Sequence, residues 1–373
     1  MVTLTDEQNE AKNKFIKWFK NWKPGDKPYF FISGFAGTGK TFLMKYILDE
    51  VNTSFQIGTF TGKAAINVKK RTGYSCKTLH SLLYTPVEEN GVIIDWELNL
   101  FNKYLDRSKL IVIDEISMVD KDIWNDLLLF KKPILVFGDL GQLPPIVGDS
   151  IFTYDNADYV LKQIHRQALE NPIIRLSIDV RNQKDIPYGN YNNIVMKAHK
   201  RDFDMKNLLN IEQIICGTNR TRNQANNYIR ELKGFTEKLP LKGEKLVCLK
   251  NNREMKVFNG QLFETVDPYF KPSQAKGTFK IYLSEEDRDD FQAEIFDDEF
   301  LRDEPREKRW RLMKDHPKIL QMCYGYCLTC HKSQGSQWKN ICVFDESDCF
   351  KEDKWRWLYT AITRSEDKII ILK

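Results

Sequence analysis

The stretch Gly34-Phe35-Ala36-Gly37-Thr38-Gly39-Lys40-Thr41 constrains this chain more than any other. It fits G-x-x-x-x-G-K-[ST] at every position, the pattern of a loop that cradles phosphate. Tyr29–Ser33 ahead of it reads as a buried strand, and Thr41–Asp49 behind it reads as a helix. Glycines let such a loop curl so that its N–H groups point inward, and the helix start adds a positive end. Gly34, Gly37, Thr38 and Gly39 would form the cradle. Lys40 would reach the β- and γ-phosphates of ATP, and Thr41 would hold Mg2+.

A phosphate loop needs carboxylates beside it. Leu110–Ile113 is an apolar run that ends in Asp114-Glu115. Asp114 is the expected second Mg2+ holder, and Glu115 the base that deprotonates the attacking water. Gly138-Asp139-Leu140-Gly141-Gln142 follows another apolar run, and Gln142 is placed to report the γ-phosphate. Arg166 and Arg364 lie far apart in sequence. Each is a candidate to reach the γ-phosphate across a cleft, an interaction worth about 10³ to 10⁵ in rate.

The chain has 373 residues, room for two or three domains, and a net charge of only +5. Carboxylates crowd into 285–307, so the remainder is more basic than that figure. No apolar run is long enough for a membrane span, and the start lacks a secretory pattern. A cytoplasmic setting, in a bacterium or a phage-infected cell, is the expectation. The eight cysteines are then reduced thiols. Cys327-Leu328-Thr329-Cys330-His331 has the form of a haem attachment site, with Cys323 as an added metal ligand. Haem attachment needs an exported, oxidising setting, and zinc a second ligand pair.

Apolar strands alternate with amphipathic helices in the first half, which predicts an α/β fold with a parallel sheet. The expected strands are Tyr29–Ser33, Gln56–Thr59, Leu110–Ile113 and Ile134–Gly138. Ligands bind at the carboxyl ends of such strands. A second α/β unit begins near Glu212 and resumes at Ile341–Phe344 and Ile369–Leu372. The predicted division is 1–170, then 171–240 with 320–373, with 241–319 as a β-rich insert. Ser284–Phe300 reads as an acidic helix extending that insert. A smaller insert at about 84–97 reads as a hairpin, with Val87 and Val92 flanking an Asn90-Gly91 turn.

As an ordered set these residues resemble superfamily-one DNA helicases of the RecD-like, phage Dda-like group, over nearly the whole chain. Leu4-Thr5-Asp6-Glu7-Gln8 resembles the motif whose glutamine reads adenine, which implies that role for Gln8. Thr61-Gly62-Lys63-Ala64-Ala65 and Lys77-Thr78-Leu79-His80-Ser81 resemble motifs that grip single-stranded DNA. Thr218-Asn219-Arg220 resembles a DNA-contacting turn. Leu328 to Gly335 resembles the motif linking DNA to the γ-phosphate, through Thr329, His331, Lys332 and Gly335. That accounts for Cys330-His331 without haem.

The resemblance implies two RecA-like lobes, a strand-separating pin at the hairpin and a small SH3-like barrel at the insert. It implies ATP and Mg2+ as cofactors, single-stranded DNA and duplex forks as partners, 5′-to-3′ travel and a monomer. A single-strand-binding protein or other replication and repair proteins are further candidate partners. Other classes that the motifs admit are an RNA-remodelling motor, an ATPase switch or loader without unwinding, and a DNA-binding protein with a degenerate nucleotide site.

Overall fold

The structure is a computed structural model that describes residues 3–89, 92–145, 151–164, 170–250, 252, 254–255, 257, 259–267, 277–285, 288–297 and 318–373. Arg166 and the Asn90-Gly91 turn lie outside the described residues.

The first half builds a six-stranded sheet. Its strands are β1 (Tyr29–Gly34), β2 (Phe55–Thr59), β3 (Cys76–Thr78), β6 (Leu110–Asp114), β7 (Ile134–Gly138) and β8 (Tyr159–Leu161). The order is β3-β2-β6-β7-β1-β8, and each neighbouring pair is parallel. Parallel strands are covered on both faces and so read as continuous apolar runs. Phe31, Ile111, Ile113 and Val136 face one core, while Phe30, Ile32, Val112, Leu135 and Phe137 face the other. Helices α1 (Asp6–Asn21), α2 (Lys40–Val51) and α3 (Gly62–Thr72) cover the second face through Phe15, Met44, Ile47 and Val68. Helices α4 (Leu79–Leu83) and α6 (Lys121–Leu128) cover the first through Leu82, Ile123 and Trp124, and α5 (Lys103–Arg107) adds Leu105. Between β3 and β6, β4 (Tyr84–Glu89) and β5 (Val92–Leu98) pair antiparallel as a separate hairpin.

A second six-stranded sheet has the order β17-β11-β18-β19-β10-β9. Its strands are β9 (Gly189–Tyr191), β10 (Val195–Ala198), β11 (Gln213–Cys216), β17 (Cys327–Thr329), β18 (Trp338–Phe344) and β19 (Ser365–Leu372). All pairs are parallel except β9 with β10. Its helices are α7 (Pro172–Arg181), α8 (Asn219–Leu232), α9 (Cys330–Ser333) and α10 (Lys354–Ile362). Among the described residues no helix is long and apolar enough to cross a membrane.

Between α8 and β17 the chain makes a five-stranded sheet. It comprises β12 (Lys245–Cys248), β13 (Leu262–Asp267), β14 (Thr278–Glu285), β15 (Arg288–Phe296) and β16 (Met322–Tyr324), paired antiparallel as β15-β14-β13-β12-β16. A bridge between Ile295 and Leu320 joins the β15 edge to the residues entering β16. The expected acidic helix at Ser284–Phe300 is therefore wrong: 288–296 is strand. Acidic composition suited a solvated helix, but Phe291, Ala293 and Ile295 recur every second residue. Ala293 and Ile295 are buried in the core and Phe291 packs against it. Period two is a strand signal.

The insert is tied to α8 by a buried ion pair. Arg230 Nε donates to Glu244 Oε1 at 2.6 Å and Nη2 to Glu244 Oε2 at 3.1 Å. Removing one partner of a buried pair strands the other charge, so Glu244→Ala should lower stability by about 3–5 kcal/mol in a urea titration. A loss below about 1 kcal/mol would mean that water reaches the guanidinium.

Candidate functional site

The phosphate loop leaves β1 at Gly34 and enters α2 at Lys40. Gly37 and Gly39 take φ of 80° and 74°, the left-handed region where a side chain is strained. A Cβ on Gly34 would lie 2.7 Å from Thr38 Oγ1, so only glycine lets the loop fold this tightly. Lys40 Nζ donates to the carbonyls of Gly34 and Phe35, at 2.7 and 3.2 Å. Gln8 Nε2 donates to Thr38 O at 3.0 Å, and its Oε1 accepts from Thr5 N–H in the capping box of α1. Gln8 thereby joins the first helix to the loop.

Asp114 ends β6, and Glu115 follows at φ 58° and ψ 47°. A left-handed glutamate costs about 1–2 kcal/mol, a strain that tends to sit at functional sites. Burial pushes the Asp114 carboxyl up to about 7, with the Glu115 charge adding and Lys40 and Arg71 opposing. Glu115 Oε2, Gln142 Oε1, Ser33 Oγ and Ser117 Oγ are buried without a hydrogen-bond partner. These atoms belong to the ends of β1 and β6 and the turn after β7, the ends that carry the phosphate loop. Buried polar atoms are almost always satisfied, so a group of orphans at one place fits a polar ligand. The donor set suits Mg2+ with a nucleotide. Thr41 and Asp114 would hold the ion, and its charge would keep Asp114 ionised.

The second lobe reaches directly into this site. Ala36 N–H donates to the Tyr359 hydroxyl at 2.9 Å. That hydroxyl donates to Asp139 Oδ2 at 2.7 Å. Leu143 N–H donates to Thr360 Oγ1 at 2.9 Å, and Gln334 Nε2 donates to Leu143 O at 3.1 Å. Arg364 is buried and donates to Thr360 O, Ser336 O and Thr363 Oγ1. Those acceptors are all neutral. Arg181, at the end of α7, places its guanidinium 3.6 Å from the centroid of the Phe35 ring, and its buried Nη1 has no hydrogen-bond partner.

The residues expected on DNA occupy matching places in both sheets. Thr61 follows β2 and Thr78 ends the neighbouring strand β3, and they cap α3 and α4. Thr218 follows β11 and caps α8, and Thr329 ends the neighbouring strand β17. Asn219 is exposed at the start of α8. His80 lies 5.7 Å from the Phe60 ring and 5.9 Å from Tyr84. His331 is held below the usual imidazole range by burial, beside Phe350. Lys332 Nζ donates to Asn259 Oδ1 of the insert at 3.4 Å. Gly335, at φ 73°, meets α3: a Cβ there would lie 2.8 Å from Thr61 Oγ1. Asn67 Nδ2 donates to its carbonyl at 3.0 Å. Lys63 Nζ sits 4.4 Å over the Trp338 ring. Cys330 Sγ turns to Trp357 O at 3.5 Å.

Sequence reasoning expected Gly34 to Thr41, Asp114, Glu115 and Gln142 at the carboxyl ends of the first sheet's strands, and the structure places them at or just after the ends of β1, β6 and β7. It missed Tyr359, Asp139, Arg181 and Trp338 as cleft residues. The Tyr359–Ala36 bond spans 323 positions, and no local pattern announces such a partner.

A family model described as AAA domain matches residues 25–148, and one described as UvrD-like helicase C-terminal domain matches 324–372. The ATP-dependent DNA helicase Dda of Enterobacteria phage T4 is 28% identical over 277 residues, covering 65% of this chain and 60% of that protein. The ATP-dependent RecD2 DNA helicase of Deinococcus radiodurans is 24% identical over 372 residues, covering 90% of this chain and 46% of that protein. The chain thus spans about half the length of these curated relatives. Among solved structures, the Pif1 helicase from Bacteroides in complex with ADP-AlF3 and ssDNA superposes with a TM-score of 0.55 at 18% identity, covering 100% of this chain and 92% of that one. With the phosphate loop, the two sheets and the ordered motifs in place, the chain is similar to superfamily-one helicases of the Dda, Pif1 and RecD2 kind.

Proposed function

We propose that this chain is an ATP-driven DNA helicase that moves 5′ to 3′ on single-stranded DNA and separates duplex at a fork. The observation that carries the reading is the sharing of one nucleotide site by two lobes. Ala36 and Leu143 of the first are bonded to Tyr359, Thr360 and Gln334 of the second. A ligand bound there changes the fit between lobes, and each lobe presents capped helix starts toward nucleic acid. Related helicases named as ATP-dependent DNA helicases support the choice of substrate.

In this reading 1–170 and 171–240 with 320–373 are RecA-like lobes, and 241–319 is an SH3-like barrel. Lys40 binds the phosphates, Gln8 reads adenine, and Glu115 takes the proton of the attacking water. Gln142 and Gly335 sense the γ-phosphate, and Arg364 and Arg166 stabilise its developing charge. Thr61, Lys63, Thr78 and His80 grip the strand in one lobe; Asn219, Thr329, His331 and Lys332 grip it in the other. Contacts of this kind to the sugar-phosphate chain carry no base sequence. Lobe closure lets one grip slide while the other holds. The hairpin at about 84–97 then blocks the second strand, against about 1.4 kcal/mol of stacking per step. The protein works as a monomer in the cytoplasm.

ATP turnover measured alone, with single-stranded DNA and with RNA tests this reading. DNA should stimulate it most, and Glu115→Gln should retain ATP binding while turning over at least about 100-fold more slowly. Equal stimulation by RNA would move the chain to the remodelling class, and no stimulation at all would leave an ATPase switch. Shortening Pro86 to Ile93 should leave DNA-stimulated ATP turnover within about twofold and suppress fork opening; full unwinding would reduce the hairpin to a surface feature.

Lys63 adds a pH dependence. Burial brings its amine down to about 8, against the raising effect of Glu212, Glu285 and Glu366, with Lys245 also lowering it. The side chain is cationic below that value and neutral above it. Affinity for single-stranded DNA should therefore fall as pH rises through about 8. Lys63→Gln should bind weakly at pH ~7, with little further fall on raising the pH, and a shallower salt dependence by about 0.7 in slope. An unchanged pH profile in that variant would remove Lys63 from the strand-gripping set.

A further inference from the structure

Tyr359 is bonded at once to two distant parts of the first lobe. It stands on α10 of the second lobe and is 1% exposed. Its hydroxyl accepts from Ala36 N–H in the phosphate loop and donates to Asp139 in the turn after β7. The other Asp139 oxygen accepts from Gly141 N–H at 2.9 Å. Gly141 packs closely here: a Cβ would lie 3.0 Å from the Tyr359 ring and 3.1 Å from Asp139 Oδ1. The same turn closes through Gln142 N–H to Asp139 O, at 3.1 Å, and presents the orphaned Gln142 amide oxygen. One residue along α10, Thr360 holds Leu143 N–H through its hydroxyl and Arg364 Nε through its carbonyl. The phosphate loop, the Gln142 turn and Arg364 are thus joined by two sets of hydrogen bonds, one on Tyr359 and one on Thr360, linked through the backbone at Tyr359–Thr360 and Gln142–Leu143.

We propose that Tyr359 is a positioning residue that ties the phosphate loop to the Asp139–Leu143 turn, so that the phosphate state in the loop sets the placement of Gln142 and Arg364. This rests on the ATPase reading above. The ring alone would fill the same space; the coupling resides in the hydroxyl. Without it, Ala36 N–H and Asp139 Oδ2 lose a buried partner, and the turn is free to move independently of the loop. Couplings carried by such networks are typically modulated several-fold by one substitution.

Tyr359→Phe removes the hydroxyl and leaves the ring. The variant should fold, keep its ATP KM within about twofold and lose about 10-fold in DNA-stimulated kcat. Combining it with Asp139→Ala should cost little more than either change alone, as expected of residues acting through one bond. Unchanged kcat, a change in KM alone, or two effects that simply multiply would overturn the assignment. A second readout is independent of turnover: the ratio of affinities for ADP and for a non-hydrolysable ATP analogue. Tyr359→Phe should bring that ratio toward one, and a preserved ratio would overturn the coupling. If wild type shows no DNA-stimulated turnover, the helicase reading fails while the affinity ratio still decides the role of Tyr359.

Discussion

A parallel strand that is buried on both faces has only its ends free for chemistry. That constraint governs both parallel sheets. In the first sheet, Phe30 and Ile32 serve one core while Phe31 serves the other, so no side chain in the middle of β1 is available to a ligand. The backbone must end in something that binds without a side chain, and the glycine loop does so. The same holds for β6, whose apolar run stops at Asp114, and for β7, which stops at Gly138. Packing therefore gathers the polar residues at one edge before any catalytic requirement is considered.

The second sheet repeats this arrangement in strand order, and the repetition explains where the nucleic-acid candidates lie. In each sheet a pair of parallel strands at one end runs into helices, and threonine caps those after β2 and β3 in one and after β11 in the other. The cap hydroxyls serve the helices first. Each of these helix starts also carries the positive end of its dipole. A phosphate chain laid across two such edges would meet like chemistry twice, the arrangement a two-handed grip requires.

What was legible in the sequence follows from the range of the interactions involved. Gly34 to Thr41 could be read because its demands are local: positive φ at fixed spacings, then a helix. The strands β1, β2, β6 and β7 could be read because both-face burial writes an uninterrupted apolar run. β15 was misread because its carboxylates drew attention away from the period-two spacing of Phe291, Ala293 and Ile295. The cleft itself was only partly legible. Arg364 and Gln142 were found by motif, but Tyr359 on Ala36, Lys63 on Trp338 and Gly335 on Thr61 join residues hundreds of positions apart. Sequence spacing carries no signal for such pairs; the fold creates them.

Arg364 shows how the cleft can be both stable and responsive. Its guanidinium is buried, yet the three groups that hold it are two carbonyls and a hydroxyl. Neutral acceptors satisfy its N–H groups without neutralising its charge. A carboxylate partner would compete with phosphate for the same cation and would itself be stranded if the arginine moved. Carbonyl acceptors impose no such penalty, because hydrogen bonds to a charged donor can be exchanged for stronger ones to an anion. The free energy of Arg364 is therefore sensitive to negative charge arriving nearby, while the fold remains complete without it. The same reasoning applies to Arg181, whose guanidinium lies on the Phe35 ring and leaves Nη1 without an acceptor. Two cations from the second lobe, one satisfied by neutral groups and one only partly satisfied, flank the network around a loop built to hold phosphate. In the proposed function, this asymmetry between a phosphate loop and two nearby arginines would make closure of the two lobes depend on the charge between them.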